Sequence, residues 1–278
     1  PRFMSALTRV FSMNKDNVEQ RGEAMRLGAQ SYTVRDFTQT KADFSQSMNK
    51  IAAMGYKTVQ LSAIGPFEAS FIRAVCDDCG LQIVLTHTDP KRILEDTDGI
   101  LQEHEVLGCD YIGIGMMPEA YRSPEGVKQF VADYMQPATI IKEAGKLLMY
   151  HNHALEWTRV NGRENMLDVM LAGLPPDLLG ITLDLYWVQA AGADVCDTIL
   201  QLKDRIHCIH FKDMAMAGFE QRFAAVGDGN LPHPKIIRLL RELGTTRHIL
   251  VEQDECYGEN PFDCLQRSFN YLKKEGLS

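Results

Sequence analysis

The runs LLMYHN at 147–152, GITLD at 180–184 and IHCIHF at 206–211 decide the fold. Each is short and largely apolar, and each carries an acid, amide or imidazole group at or next to its C-terminal end. A nearly continuous apolar run of this length is the pattern of a strand buried on both faces of a parallel sheet. Working outward, the same pattern recurs about every 30 residues, at 27–32, 58–62, 82–87 and 111–115 before these runs and at 248–252 after them. The intervening segments have helical period. Phe44, Met48, Ile51 and Met54 lay one apolar stripe, and Phe262, Leu265, Phe269 and Leu272 lay another. Gly55, Gly80, Gly108, Gly145 and Gly244 each close such a segment, where a left-handed cap is wanted. Pro137 predicts a kink or split in the 123–143 stretch.

Eight strand-helix alternations in about 250 residues predict a (β/α)8 TIM barrel, ahead of an open doubly wound sheet. No linker-like stretch divides the chain, so the predicted organisation is a short N-terminal arm or extra helix at 1–25 and one barrel domain at 26–278.

Composition narrows the function. The 278 residues carry 29 Lys and Arg against 37 Asp and Glu, a formal charge of −8. Nucleic-acid binding, which needs a basic face, is therefore not expected. No apolar run approaches the ~18 residues of a membrane span, and the N-terminus lacks a leader-like pattern. The expectation is a soluble, cytoplasmic protein without a membrane partner. The seven cysteines are scattered through apolar segments, as reduced structural thiols would be. The C-x-x-C at Cys76 and Cys79 has no second pair at zinc-site spacing.

In such a barrel, chemistry belongs at the C-terminal ends of the strands. The third run ends in His87, the fifth in His151-Asn-His153 with Glu156 beyond, the sixth in Asp184, the seventh in His210-Phe-Lys212-Asp213 and the eighth in Glu252-Gln-Asp254. Singly, Asp184 or Glu252 reads equally as a helix cap and His210 as a satisfied core histidine. Together, carboxylates converging on one mouth raise one another's pKa unless a cation neutralises them. Three carboxylates and an imidazole form an oxygen-rich set suited to Mn²⁺, Mg²⁺ or Co²⁺.

These motifs (Tyr150-His-Asn-His-Ala-Leu-Glu156, Leu183-Asp-Leu-Tyr-Trp187, His210-Phe-Lys-Asp213, Val226-Gly-Asp-Gly229 and Val251-Glu-Gln-Asp254) resemble the xylose-isomerase-like TIM barrels. That superfamily contains sugar isomerases and epimerases, inosose dehydratase and endonuclease IV. The resemblance implies one divalent metal ion, Mn²⁺ first with Mg²⁺, Co²⁺ or Zn²⁺ as alternatives, held by Glu156, Asp184, His210 and Glu252. Several relatives place a Glu before Asn and His on strand five where this chain has His151, so His151 or His153 stands as the alternative ligand, with Glu156 then left as base.

The chemistry implied is that of a metal-dependent sugar isomerase or epimerase, in which a proton next to a carbonyl is removed to give an enediolate. Glu156 and Glu252 are the implied acid-base pair. His87, His151, His153, Trp187 and Lys212 are the implied substrate contacts, and a small carbohydrate the implied substrate. Dimers or tetramers are usual in the superfamily, so a homo-oligomer is compatible. Ketose epimerases commonly carry a His where Trp187 stands, and the His-Asn-His run is closer to branches that eliminate water or an aglycone. A dehydratase or lyase acting on an inosose or 3-ketoglycoside is therefore the alternative. A non-catalytic sugar-binding barrel, holding no metal, is the alternative of another class.

Overall fold

The computed structural model describes residues 25–278. Eight parallel strands close on themselves: β1 (Arg26–Gln30), β2 (Thr58–Leu61), β3 (Gln82–His87), β4 (Tyr111–Ile114), β5 (Leu147–His151), β6 (Leu179–Asp184), β7 (Ile206–Phe211) and β10 (His248–Val251), with β1 and β10 completing the ring. Between β7 and β10 the chain makes an antiparallel hairpin of β8 (Asp213–Ala217) and β9 (Glu220–Ala224). The architecture is a TIM barrel. The arm expected at 1–25 lies, except for Met25, outside the described residues.

The crossovers are helical: α1 (Lys41–Met54), α2 (Ala69–Cys79), α3 (Pro90–Glu95) with α4 (Thr97–Leu107), α5 (Pro124–Glu143), α6 (Met166–Gly173), α7 (Leu185–Ala190) with α8 (Val195–Leu202), α9 (His233–Leu243) and α10 (Pro261–Lys274). The apolar stripes face the sheet, where Phe44, Met48 and Ile51 of α1 and Phe262, Leu265, Phe269 and Leu272 of α10 are buried. Gly55 ends α1 at φ 111°, a conformation that side chains with a Cβ rarely adopt. Of the kink or split expected at Pro137, the split does not occur, and α5 runs unbroken through it. Its buried face carries Phe130, Tyr134, Pro137, Ala138 and Ile141, and losing one backbone hydrogen bond costs less than exposing that face.

The period of two along each strand sorts side chains between the lumen and the helices. Leu85, Met149, Cys208 and Leu250 pack with Val84 in one cluster inside the barrel, whereas Ile209, Phe211, Ile249 and Val251 belong to the layer under the helices. Two residues on from that inner cluster lie His87, His151, His210 and Glu252. The alternation that buries the core thus places these polar groups on one inward layer. Gly28 opens room beneath it, since a Cβ there would meet Thr58 Oγ1 at 2.2 Å. No helix among the described residues is long and apolar enough to cross a membrane.

Candidate active site

His151 ends β5, Asp184 ends β6, His210 lies one residue before the end of β7, and Glu252 follows β10. Strand register puts Asp184 directly beside His210. One ligand-type atom from each of the four lies within 4.8 Å of all the others, and all four residues are buried. His151 Nε2 is 3.0 Å from Asp184 Oδ2, His210 Nδ1 is 3.6 Å from the same oxygen, and His210 Nδ1 is 2.9 Å from Glu252 Oε2.

Neighbouring groups orient each of them. His151 Nδ1 donates to the Gly115 carbonyl at 2.8 Å, which leaves Nε2 facing the cluster. The other ring nitrogen of His210, Nε2, donates to Gln60 Oε1 at 2.6 Å. Gln30 takes Tyr32 N–H on its Oε1 and donates Nε2 to Glu252 Oε1, leaving Oε2 inward. Asp184 Oδ1 accepts from Trp187 N–H and caps α7, and Asn152 holds the Asp184 backbone.

In these orientations neutral imidazole lone pairs face carboxylate lone pairs at about hydrogen-bond distance, a contact that only a shared proton or a cation makes favourable. With Nε2 carrying the ring proton, His210 Nδ1 has no donor facing it, and Glu252 Oε2 meets the Lys212 ammonium at 3.0 Å. Two imidazoles and two carboxylates aimed at one buried point therefore fit a divalent ion of the Mn²⁺, Zn²⁺ or Co²⁺ type.

Lys212 Nζ lies beside the cluster, 3.0 Å from Asp184 Oδ2, 3.0 Å from Glu252 Oε2 and 2.7 Å from Asp254 Oδ1. Burial alone would raise the carboxyls of Asp184 and Glu252, but the Lys212 ammonium and the imidazoles hold both well below the usual range. Asp254 is shifted the other way, by burial first and then by Glu252. His151 is lowered by burial and by His210, and burial pushes His153 down to about 3. In His210 burial is outweighed by Glu252 and Asp184, and its pKa rises.

His151 and Glu252 of the cluster line a cavity of about 530 Å³ at the C-terminal mouth. Of the sequence-predicted residues, His87, His151, His153, Trp187, Lys212 and Glu252 all line it. His87 Nδ1 bonds Ser62 Oγ at 3.0 Å, and its ring lies 5.3 Å from that of His151. His87 Nε2, His153 Nδ1 and Trp187 Nε1 are buried without partners.

Glu156, expected as ligand and base, lies elsewhere. The 3-10 turn Ala154–Trp157 folds its carboxylate back, so that one oxygen accepts from Tyr150 O–H and the other from His153 N–H at 2.8 Å. It belongs neither to the four-residue cluster nor to the cavity wall. His151 takes the strand-five place in the cluster. Sequence reasoning did not select Gln30, Gln60, Tyr32, Asp89 or Asp254 as site residues. The signal for the glutamines was an amide near the end of an apolar run. All seven cysteines are free.

Residues 48–275 match the family model described as xylose isomerase-like TIM barrel. Inosose dehydratase from Lacticaseibacillus casei is 24% identical over 147 residues, which are 47% of this chain and 48% of that protein, so the chain spans about half the length of the curated relatives it matches. Among solved structures, a sugar phosphate isomerase/epimerase from Parabacteroides distasonis superposes with a TM-score of 0.74 at 21% identity, covering 90% of this chain and 98% of the other. A probable 3-DHS dehydratase from Bacillus anthracis, involved in petrobactin synthesis, gives 0.66 at 16%, covering 90% and 99%. At these identities the likeness is one of fold.

Proposed function

The chain belongs to the xylose isomerase-like TIM barrel family, and from that premise we propose that it is a divalent-metal-dependent sugar isomerase or epimerase that removes a proton next to a carbonyl. The observation that carries this reading is the convergence of His151, Asp184, His210 and Glu252 on one buried point, with His151 and Glu252 also lining the mouth cavity. These four would hold the ion. When bound, a divalent cation supplies Lewis-acid polarisation of a carbonyl and its neighbouring hydroxyl.

The chain's own groups do the rest. Glu252 stays ionised and lines the cavity, and with Oε2 turned to the cluster its Oε1 is the oxygen left to take the carbon-bound proton. Gln30 Nε2 donates to that Oε1 and fixes its orientation. Lys212 offsets negative charge developing on substrate oxygens. The unpartnered ring nitrogens of His87 and His153 meet hydroxyls, and Trp187 offers an apolar face.

A second reading, dehydration of a keto-sugar or inosose, begins with the same proton removal and then expels a β-hydroxyl. The two cavity imidazoles beside the cluster favour it, because either can donate to a departing hydroxyl. One experiment tests both. Mn²⁺-loaded protein is incubated with ketoses and inososes in D₂O and followed by NMR. Deuterium at the carbon next to the carbonyl supports the first reading, and a dehydrated product supports the second. No exchange with any of them, or equal exchange by Asp184→Asn, would overturn both.

A further inference from the structure

The cavity contains a cation but no spare positive charge. Lys212 is the lysine on its wall, and carboxylate oxygens of Asp184, Glu252 and Asp254 all lie within 3.0 Å of its ammonium. Asp89 adds a carboxylate at the rim, where its Oδ1 caps α3 by accepting from Lys91 N–H. Two arginines on neighbouring loops are not on the cavity wall: Arg35 donates Nη1 to the carbonyls of Tyr32 and Asp254 and lies over the Tyr32 ring, and Arg122 donates Nε to the Met117 carbonyl with Nη2 against Met116 Sδ.

The charge sum is simple. Asp184 and Glu252 would cancel the two charges of a divalent ion held between them, which leaves Lys212, Asp254 and Asp89. With Asp254 ionised the remainder is −1, and with Asp254 protonated it is zero. In neither state does the cavity hold a surplus positive charge. A phosphate monoester carries −1.5 to −2 near pH 7, and desolvating it without a cation partner is unfavourable. Neutral hydroxyls meet the opposite situation, since ionised carboxylates accept from them and the unpartnered nitrogens of His87, His153 and Trp187 pair with them.

Resting on the isomerase reading above, we propose that this site takes an uncharged polyhydroxy carbonyl compound and discriminates against its phosphate ester, with Asp89 one of the carboxylates that enforce the choice. The fold neighbour from Parabacteroides distasonis is a sugar phosphate isomerase/epimerase, so the selection assigned here separates this chain from that substrate class.

The test uses matched pairs, D-fructose with D-fructose 6-phosphate and D-xylulose with D-xylulose 5-phosphate, titrated by saturation-transfer NMR into the Mg²⁺-loaded full chain. Each neutral member should bind at least about tenfold more tightly than its ester. Asp89→Asn keeps an N-capping side chain and removes the charge, and should narrow that ratio about two- to fivefold. Esters binding as tightly as the neutral sugars, no neutral member binding at any soluble concentration, or a ratio unmoved by Asp89→Asn would each overturn the proposal. Deuterium exchange in the same samples reads the isomerase proposal separately. Neutral sugars that bind without exchanging leave the selectivity standing and remove the chemistry, and exchange confined to the esters does the reverse.

Discussion

Gln60 Oε1 accepts the Nε2–H of His210 at 2.6 Å across the lumen of the barrel, although their strands β2 and β7 are not neighbours in the sheet. That bond fixes the neutral tautomer of His210 and presents the Nδ1 lone pair to Asp184 and Glu252. Gln60→Leu should therefore weaken Mn²⁺ binding about 10- to 100-fold, and Gln60→Glu, which keeps an acceptor, should restore most of it. Chelator competition gives the affinities, and long-range ¹H–¹⁵N NMR of His210 gives the tautomer. An unchanged affinity in Gln60→Leu would remove the role assigned to the glutamine.

The ligand set itself distinguishes His151 from Glu156. Metal analysis of protein purified without chelator should give about one ion per chain for the parent and for Glu156→Gln. His151→Gln and Asp184→Asn should fall well below that with circular dichroism unchanged, since asparagine still caps α7. Loss of metal in Glu156→Gln with retention in His151→Gln would restore the assignment read from the motif.

The difference between the motif's Glu156 and the cluster's His151 lies in three residues of chain. The strand ends were legible because the period of two that buries Met149 and Cys208 carries His151 and His210 onto the same face, and this needs no tertiary information. Glu156 follows β5 through a 3-10 turn, and whether such a turn points its third side chain to the mouth or back onto Tyr150 depends on packing. Gln30 and Gln60 acquire partners only when the barrel closes, which no local pattern reports. The β8–β9 hairpin was equally hidden, as its strands are short and mostly exposed or half-buried, and β9 lacks an apolar run. Pro137 shows propensity overridden by a buried helix face.

Glu156 also gives the protein a pH-dependent stability. Burial first, against the hydrogen bonds from Tyr150 and His153, raises its carboxyl to about 7 from an ordinary value of 4.5. The folded state therefore binds this proton more tightly than the unfolded state. The stabilisation is complete below about pH 4.5 and is lost as pH rises through 7. Between pH 5 and pH 8 the loss from this group amounts to about 2–3 kcal/mol. Glu156→Gln should flatten the unfolding free energy across that interval, as measured by urea denaturation at each pH, and a slope identical to the parent's would exclude the carboxyl as its source.

Asp213 ties the segment after β7 to the barrel. Its Oδ1 accepts from Met214 and Leu231 N–H and its Oδ2 from Gly227 and Gly229 N–H, while His233 Nε2 lies 3.2 Å away. These partners hold 226–231 against the strand immediately after Lys212. Asp213→Ala would leave four backbone donors without that acceptor, at about 1–3 kcal/mol for each that water cannot reach, so a loss of at least about 3 kcal/mol is expected. Asp213→Asn keeps one acceptor oxygen and should lose less. Because the segment is anchored beside Lys212, turnover should fall in step with stability in both variants. Chemical denaturation and kcat measured together check this, and an Asp213→Ala protein as stable as the parent would show that the segment is held by its packing instead.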